Sequence, residues 1–185
     1  MVATGTIRLY TDGSGINGHV GAATIALELP TANVNKESSE YMRTASASTV
    51  YAAELKGLVL ALQVIRGLQG AGVTASDCTI FTDNQAALQA MQNPKCPSGQ
   101  HILIEVIRQL DCLRRLGWRI KYSWIPADAG VPGNEVADEA AKASAGFNPP
   151  TRRHEAPPEP ERLSILIATT KATIRKTMKT EWESE

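Results

Sequence analysis

An apolar segment of strand length, Ile7-Arg8-Leu9-Tyr10, runs directly into Thr11-Asp12-Gly13-Ser14-Gly15. Its first four residues predict a short strand. That strand then meets an acid and two glycines. A carboxylate at the end of a buried strand costs desolvation energy unless something binds it. Glycine carries no side chain, so a large ligand can bring its own backbone close. Together the two features suggest a metal-binding carboxylate beside a polymer-binding surface. The plainer alternative is a strand entering a Gly-rich hairpin turn with a solvated Asp. On this stretch alone the plainer alternative is the better one.

The rest of the chain changes the balance. Residues 18–29 and 40–45 predict two further strands, so residues 6–45 form a three-stranded antiparallel meander. Residues 49–68 predict a helix whose core stripe is Leu58, Leu62 and Ile65. Glu54 falls on that stripe one turn earlier, where an acid is out of place unless it is an exposed first-turn Glu favoured by the helix dipole. Cys78-Thr79-Ile80-Phe81-Thr82-Asp83 is a strand that again ends in an acid, with Asn84 opening a helix through residue 91. Open α/β sheets place ligands beyond the C-terminal ends of their strands, although Asp83 could equally cap the helix. Residues 100–116 predict an amphipathic helix with Leu103, Val106, Leu110 and Leu113 inward. Residues 118–124 alternate as a strand, and a loop rich in Pro and Gly leads to a helix over 134–145. Asp138 sits about one turn inside that helix, beside Lys142.

Each of the four acids has an ordinary explanation. Four such placements in one small α/β domain are harder to set aside. Clustered carboxylates raise one another's pKa values unless cations neutralise them. Oxygen ligands with room for water select Mg²⁺ or Mn²⁺, and two such ions serve in-line phosphoryl displacement.

Composition narrows the partners. With 185 residues the chain holds one domain of typical size plus extras. Residues 1–147 are expected to be the domain, 148–162 a linker rich in Pro and charge, and 163–185 a separate helix striped by Ile167, Ile174, Met178 and Trp182. No apolar run reaches the ~18 residues of a membrane span, and a basic region followed by an apolar core is missing from the N-terminus. The three cysteines, Cys78, Cys96 and Cys112, are odd in number and lack metal-like spacing. They predict a reduced, intracellular protein of cytoplasm or nucleus. A formal net charge of 0 argues against a free-standing nucleic-acid binder. It leaves room for an enzyme that touches nucleic acid through a small site.

Four strings in order carry a resemblance: Tyr10-Thr11-Asp12-Gly13-Ser14, Ala53-Glu54-Leu55, Phe81-Thr82-Asp83-Asn84-Gln85-Ala86-Ala87-Leu88, and Trp124-Ile125-Pro126 running to Gly133-Asn134-Glu135-Val136-Ala137-Asp138. Over about residues 6–146 the chain resembles the type 1 ribonuclease H domain. The resemblance implies a ribonuclease H-like α/β fold, a five-stranded mixed sheet flanked by helices. It also implies cleavage of the RNA strand of RNA/DNA hybrids to 5′-phosphate and 3′-hydroxyl ends. Asp12, Glu54, Asp83 and Asp138 would then hold two Mg²⁺ ions, with Mn²⁺ as substitute. Asp12 would bridge both ions, Glu54 and Asp83 would serve the leaving-group side, and Asp138 the side of the attacking water. Gly13, Ser14, Gly15 and Asn84 are candidates for contacts across the minor groove, where the 2′-hydroxyl separates RNA from DNA. Ser48 and Thr49 are candidates for a phosphate at the first helix's N-terminus.

Two departures stand out. Only one helix lies between Met91 and Trp118, with no room for the basic protrusion of many members, so substrate affinity is expected to be low or supplied elsewhere. The loop position that normally carries His is Asp128, a candidate proton acceptor; His19, His101 and His154 do not match it. Residues downstream of 148 look similar to the segment after the ribonuclease H domain in LINE-like retrotransposon polyproteins of filamentous fungi. That similarity implies an excised domain with a reverse transcriptase upstream. The competing readings are a DNA-cutting integrase or junction resolvase on the same sheet, and a non-catalytic binding module.

Overall fold

The computed structural model describes residues 6–34, 36–74, 76–94 and 98–146. In chain order the elements are β1 (Ile7–Ile16), β2 (His19–Ala26), β3 (Glu37–Thr44), α1 (Val50–Gly70), β4 (Asp77–Thr82), α2 (Gln85–Gln92), α3 (Gln100–Arg115), β5 (Arg119–Trp124) and α4 (Pro132–Ala145). The five strands form one mixed sheet in the order β3-β2-β1-β4-β5. β1, β2 and β3 are the expected antiparallel meander, while β4 and β5 join it in parallel. The linker at 148–162 and the helix expected over 163–185 lie outside the described residues.

β1 is the central strand, and its alternation divides the interior. Leu9 joins the larger core between the sheet and α1 and α3, with Leu55, Leu58, Leu62, Ile65, Ile80 and Leu103. Tyr10 points the other way, to Ile25 and to Ala137 of α4. Its ring stacks on Phe81 with centroids 4.9 Å apart. Gly133 lets α4 settle there, because a Cβ at that position would collide with the Tyr10 ring. Trp118 is buried just before β5, and its indole N–H donates to Gln69 Oε1 at 2.6 Å.

Several boundaries differ from the sequence expectation, β2 ending at Ala26 and α1 running on to Gly70 among them. β1 does not stop at Asp12; it pairs on through Gly13↔Ala22 and Ile16↔His19. The chain reverses instead at Asn17-Gly18, where φ is 51° and 78°, the positive values that a tight two-residue hairpin demands. β3 begins earlier than expected, at Glu37, as a polar strand at the sheet's edge. α4 begins at Pro132, since proline is tolerated in the first helical turn. Asp138 therefore lies in the second turn of α4, deeper than one turn.

The glycines of β1 have a packing role. A Cβ on Gly13 would overlap the Glu54 backbone nitrogen and stand 2.7 Å from Ala53 C. The missing side chain makes room for α1. Gly57 answers from the helix, where a Cβ would meet Thr11 Cβ at 3.1 Å and Ala23 O at 3.2 Å. Gly13→Ala should cost at least the ~1–3 kcal/mol typical of overpacking. Gly70→Ala, at the open end of α1 with nothing near its Cβ position, should be neutral or stabilise by up to ~1 kcal/mol. Urea unfolding of both variants would check this, and equal midpoints would contradict it.

Candidate metal centre

β1, α1 and β4 each deliver one carboxylate to the same point. Asp12 leaves the middle of β1, Glu54 sits in the second turn of α1, and Asp83 follows β4 directly. One carboxylate oxygen from each lies within 4.8 Å of the others. Asp12 is 7% exposed and Glu54 6%, so Glu54 is not a solvated first-turn acid. Asp138 is not in that trio. It faces the same cleft, of about 290 Å³, which Asp12, Asp83, Asp128, Asn134 and Lys142 also line. Its Oδ2 takes an ion pair from Lys142 Nζ at 2.6 Å, one helical turn away.

Burial and like charge act together on the trio. Burial first, then the charges of Asp83 and Asp138, push Asp12 up to about 7. Glu54 is pushed up to about 9, by burial first and then by Asp12 and Asp83. The side-chain amide of Asn84 and the backbone N–H of Gly13 hydrogen-bond Glu54 and oppose that rise. Glu54 Oε2 is buried with no hydrogen-bond partner among the described residues, an expensive state for a carboxylate oxygen. These carboxyls, placed where protons are retained above their ordinary range, form an all-oxygen set that suits a hard divalent cation.

The remaining sequence candidates take varied positions. Asn84, not Asp83, caps α2; its Oδ1 accepts from the Ala87 N–H at 2.9 Å, which frees the Asp83 carboxylate from capping. Thr49 caps α1 by accepting from the Ala52 N–H at 3.1 Å, and Ser48 beside it is buried. Gly13 and Ser14 are buried in β1, and Gly15 is exposed near the hairpin. Asp128 is exposed on the cleft's rim in the loop between β5 and α4, with φ of 53°, a conformation Asp adopts more readily than most residues.

Sequence reasoning missed two groups around Asp83. Asn134 Nδ2 donates to Asp83 Oδ2 at 3.2 Å. The Trp124 indole N–H donates to the Asp83 carbonyl at 3.0 Å. Both residues belong to the strings that carry the resemblance, but nothing local points to partners more than 40 positions away.

The family profile described as RNase H matches residues 4–146, and the chain belongs to that family. Solved structures agree on the fold. One is RNase H1 from the halophilic archaeon Halobacterium salinarum NRC-1, 17% identical with a TM-score of 0.53, covering 76% of this chain and 97% of that one. A second is LC11-RNase H1 in complex with an RNA/DNA hybrid, at 20% identity and a TM-score of 0.54, covering 75% and 99%. A third is the N-terminal RNase H domain of a Mycobacterium tuberculosis protein, solved as a fusion with maltose binding protein. It is 21% identical with a TM-score of 0.51, covering 76% and 98%. Among the described residues no helix is long and apolar enough to cross a membrane.

The raised carboxyls give a pH signature. In the unfolded chain Asp12 and Glu54 would ionise near their ordinary values, about 4. In the fold they keep protons to about 7 and about 9. Between those limits the folded state holds more protons, so stability falls as pH rises. Metal-free protein should therefore melt at progressively lower temperature from about pH 5 to about pH 8, and Mg²⁺ should restore the loss by binding the folded state. Glu54→Gln, with no proton to lose, should show a shallower fall. Identical slopes for the two proteins in calorimetry would refute this account.

Proposed function

We propose that this chain is a divalent-cation-dependent endoribonuclease that cuts the RNA strand of RNA/DNA hybrids. The carrying observation is the trio of Asp12, Glu54 and Asp83, with a buried Glu54 oxygen that no group among the described residues satisfies. Family membership supports a nuclease. The hybrid seen with the similar LC11-RNase H1 supports the substrate.

Asp12, Glu54 and Asp83 would hold Mg²⁺ or Mn²⁺, and Asp138 in the same cleft would help hold a second ion. When bound, such ions polarise the phosphodiester and lower the pKa of an attacking water. The protein's own groups do the rest. The Asp12 and Glu54 carboxyls release their protons as cations enter. Asp138, held by Lys142, faces the cleft from α4. Asp128 can take the proton that the water loses as its oxygen bonds to phosphorus. The P–O3′ bond breaks with its electron pair going to O3′, and that oxyanion takes a proton from solvent water, giving 5′-phosphate and 3′-hydroxyl ends. The strand edge at Gly13, Ser14 and Gly15, and Asn84 at the head of α2, are the proposed readers of the RNA 2′-hydroxyl. Ser48 and Thr49 are the proposed phosphate contacts at α1.

The wider setting is part of the same reading. The neutral net charge and the lack of room for a basic protrusion before β5 fit a catalytic domain, residues 1–147, whose substrate is brought by a reverse transcriptase upstream. Residues 148–162 would be a linker and 163–185 a helical segment of a LINE-like retrotransposon polyprotein.

In a nicking assay with Mg²⁺, a hybrid should be cut while the matching DNA duplex is not. Efficient cutting of DNA would favour an integrase-like or resolvase-like enzyme. Asp83→Asn should lose cleavage yet melt no lower than the parent in metal-free buffer, because it removes one of several like charges. Near-parental nicking by this variant would show that the trio is not the reacting centre. Asp128→Ala should fall within the ~10²–10⁴-fold scale of general acid–base groups, and short of the loss caused by Asp83→Asn. A rate as low as that of Asp83→Asn would make Asp128 an essential member of the centre. Removing residues 148–185 should leave hybrid cleavage largely intact, since all four acids precede them.

A further inference from the structure

Asp83 is held from both ends of one loop. The chain leaves β5 at Trp124, whose indole N–H binds the Asp83 carbonyl at 3.0 Å. The next residue, Ile125, donates its backbone N–H to Thr82 O at 3.0 Å. The loop passes Asp128 and Gly130, both at positive φ, and re-enters regular structure in α4. In the first turn of that helix Asn134 sends Nδ2 to Asp83 Oδ2 at 3.2 Å. Trp124 and Asn134 thus grip the backbone and the carboxylate of the same residue.

The two grips are unequal in cost. Trp124 is 45% exposed, and its indole hydrogen bond could be exchanged for water. Asn134 is 6% exposed, and its Oδ1 is buried with no partner among the described residues. A buried amide with one half unsatisfied is a poor structural element, since an apolar residue of that shape would avoid the loss. The contact its amide does make is the one to Asp83. A hydrogen bond on Oδ2 fixes the carboxylate's rotation and commits one of its lone pairs. Groups of this kind, one step removed from a ligand, orient the ligand and tune its affinity.

We infer that Asn134 and Trp124 are positioning residues that aim the Asp83 carboxylate for a divalent cation, and so tie the loop bearing Asp128 to the metal centre. This inference rests on the reading of Asp83 as a metal-binding residue. It adds that the residues flanking the 125–131 loop, at the end of β5 and in the first turn of α4, set that residue's geometry.

The test is a Mn²⁺ titration by calorimetry on the full chain, alongside thermal melting in metal-free buffer. Asn134→Leu keeps the shape and removes the donor; it should weaken Mn²⁺ binding by about 10- to 100-fold. Trp124→Phe alters a half-exposed ring and removes the indole N–H; it should weaken binding in the same direction by less. Ile65→Val, a change within the larger core far along α1 from Glu54, should lower the melting temperature and leave Mn²⁺ affinity unchanged. That control separates positioning from general loss of stability. If Asn134→Leu fails to fold, Trp124→Phe decides. Parental Mn²⁺ affinity in both variants overturns the inference while leaving the metal centre in place. If Ile65→Val weakens Mn²⁺ binding as much as Asn134→Leu does, the effect is one of stability and the inference falls. A parent chain that binds no Mn²⁺ overturns the metal reading itself, and the inference with it.

Discussion

Everything at the centre depends on how closely α1 lies against β1. At Gly13 the helix backbone occupies the space that any side chain would need, and Gly57 makes the matching allowance from the helix side. The contact is backbone against backbone, so it fixes the height of α1 over the sheet with little freedom. Glu54 is the helix residue at that contact, and Asp12 is the strand residue beside it. Two carboxyls are thereby forced together in a place that water scarcely reaches. Neither could arrive alone: a larger residue at position 13 would lift the helix and carry Glu54 away from Asp12.

Much of this could be read from the residues alone. The meander and the buried stripes of α1 and α3 follow from periodicity, because Leu58, Leu62, Ile65, Leu103, Val106 and Leu113 all go where their spacing sends them. The parallel addition of β4 and β5 is legible only through the resemblance. Asp83 is visible as an acid at a strand end and Glu54 as an acid on an apolar stripe, while Asp12 is visible as an acid after an apolar strand whose end the residues misplace. The hidden features are those set by distant partners. Gly13-Ser14-Gly15 reads locally as a turn, yet the strand continues because β2 pairs with it and α1 needs the gap. The true turn, Asn17-Gly18, carries an ordinary hairpin signal that the neighbouring glycines mask. Asn134 looks like any polar residue near a helix start, since its link to Asp83 joins positions 51 residues apart.

A neutral chain conceals an uneven field. Among the described residues that line the cleft, Asp12, Asp83, Asp128, Glu135 and Asp138 face a single cation, Lys142. Charges of one sign this close repel strongly where water is excluded. A polyanion approaching the cleft meets that repulsion until cations enter. Lys142 relieves part of it, at Asp138, from within α4 itself. Whole-chain charge therefore does not describe the field at the cleft, which the acids lining it set.

β1 has one more consequence. It is the middle strand of the sheet, paired with β2 from Leu9 to Ile16 and with β4 from Ile7 to Thr11, and it carries core residues on both faces of the short segment that leads into Asp12. Such strands open only when the whole domain opens, whereas rim loops fluctuate independently. Amide exchange near Asp12 would thus report global unfolding, and exchange near Asp128 would report local breathing. Of the residues that line the cleft, Asp12 belongs to the central strand and Asp128 to an exposed loop. Mutations that lower stability without touching the cleft would leave the Asp12 side well formed in every molecule still folded. They would act on the population of folded chains, not on the geometry within each.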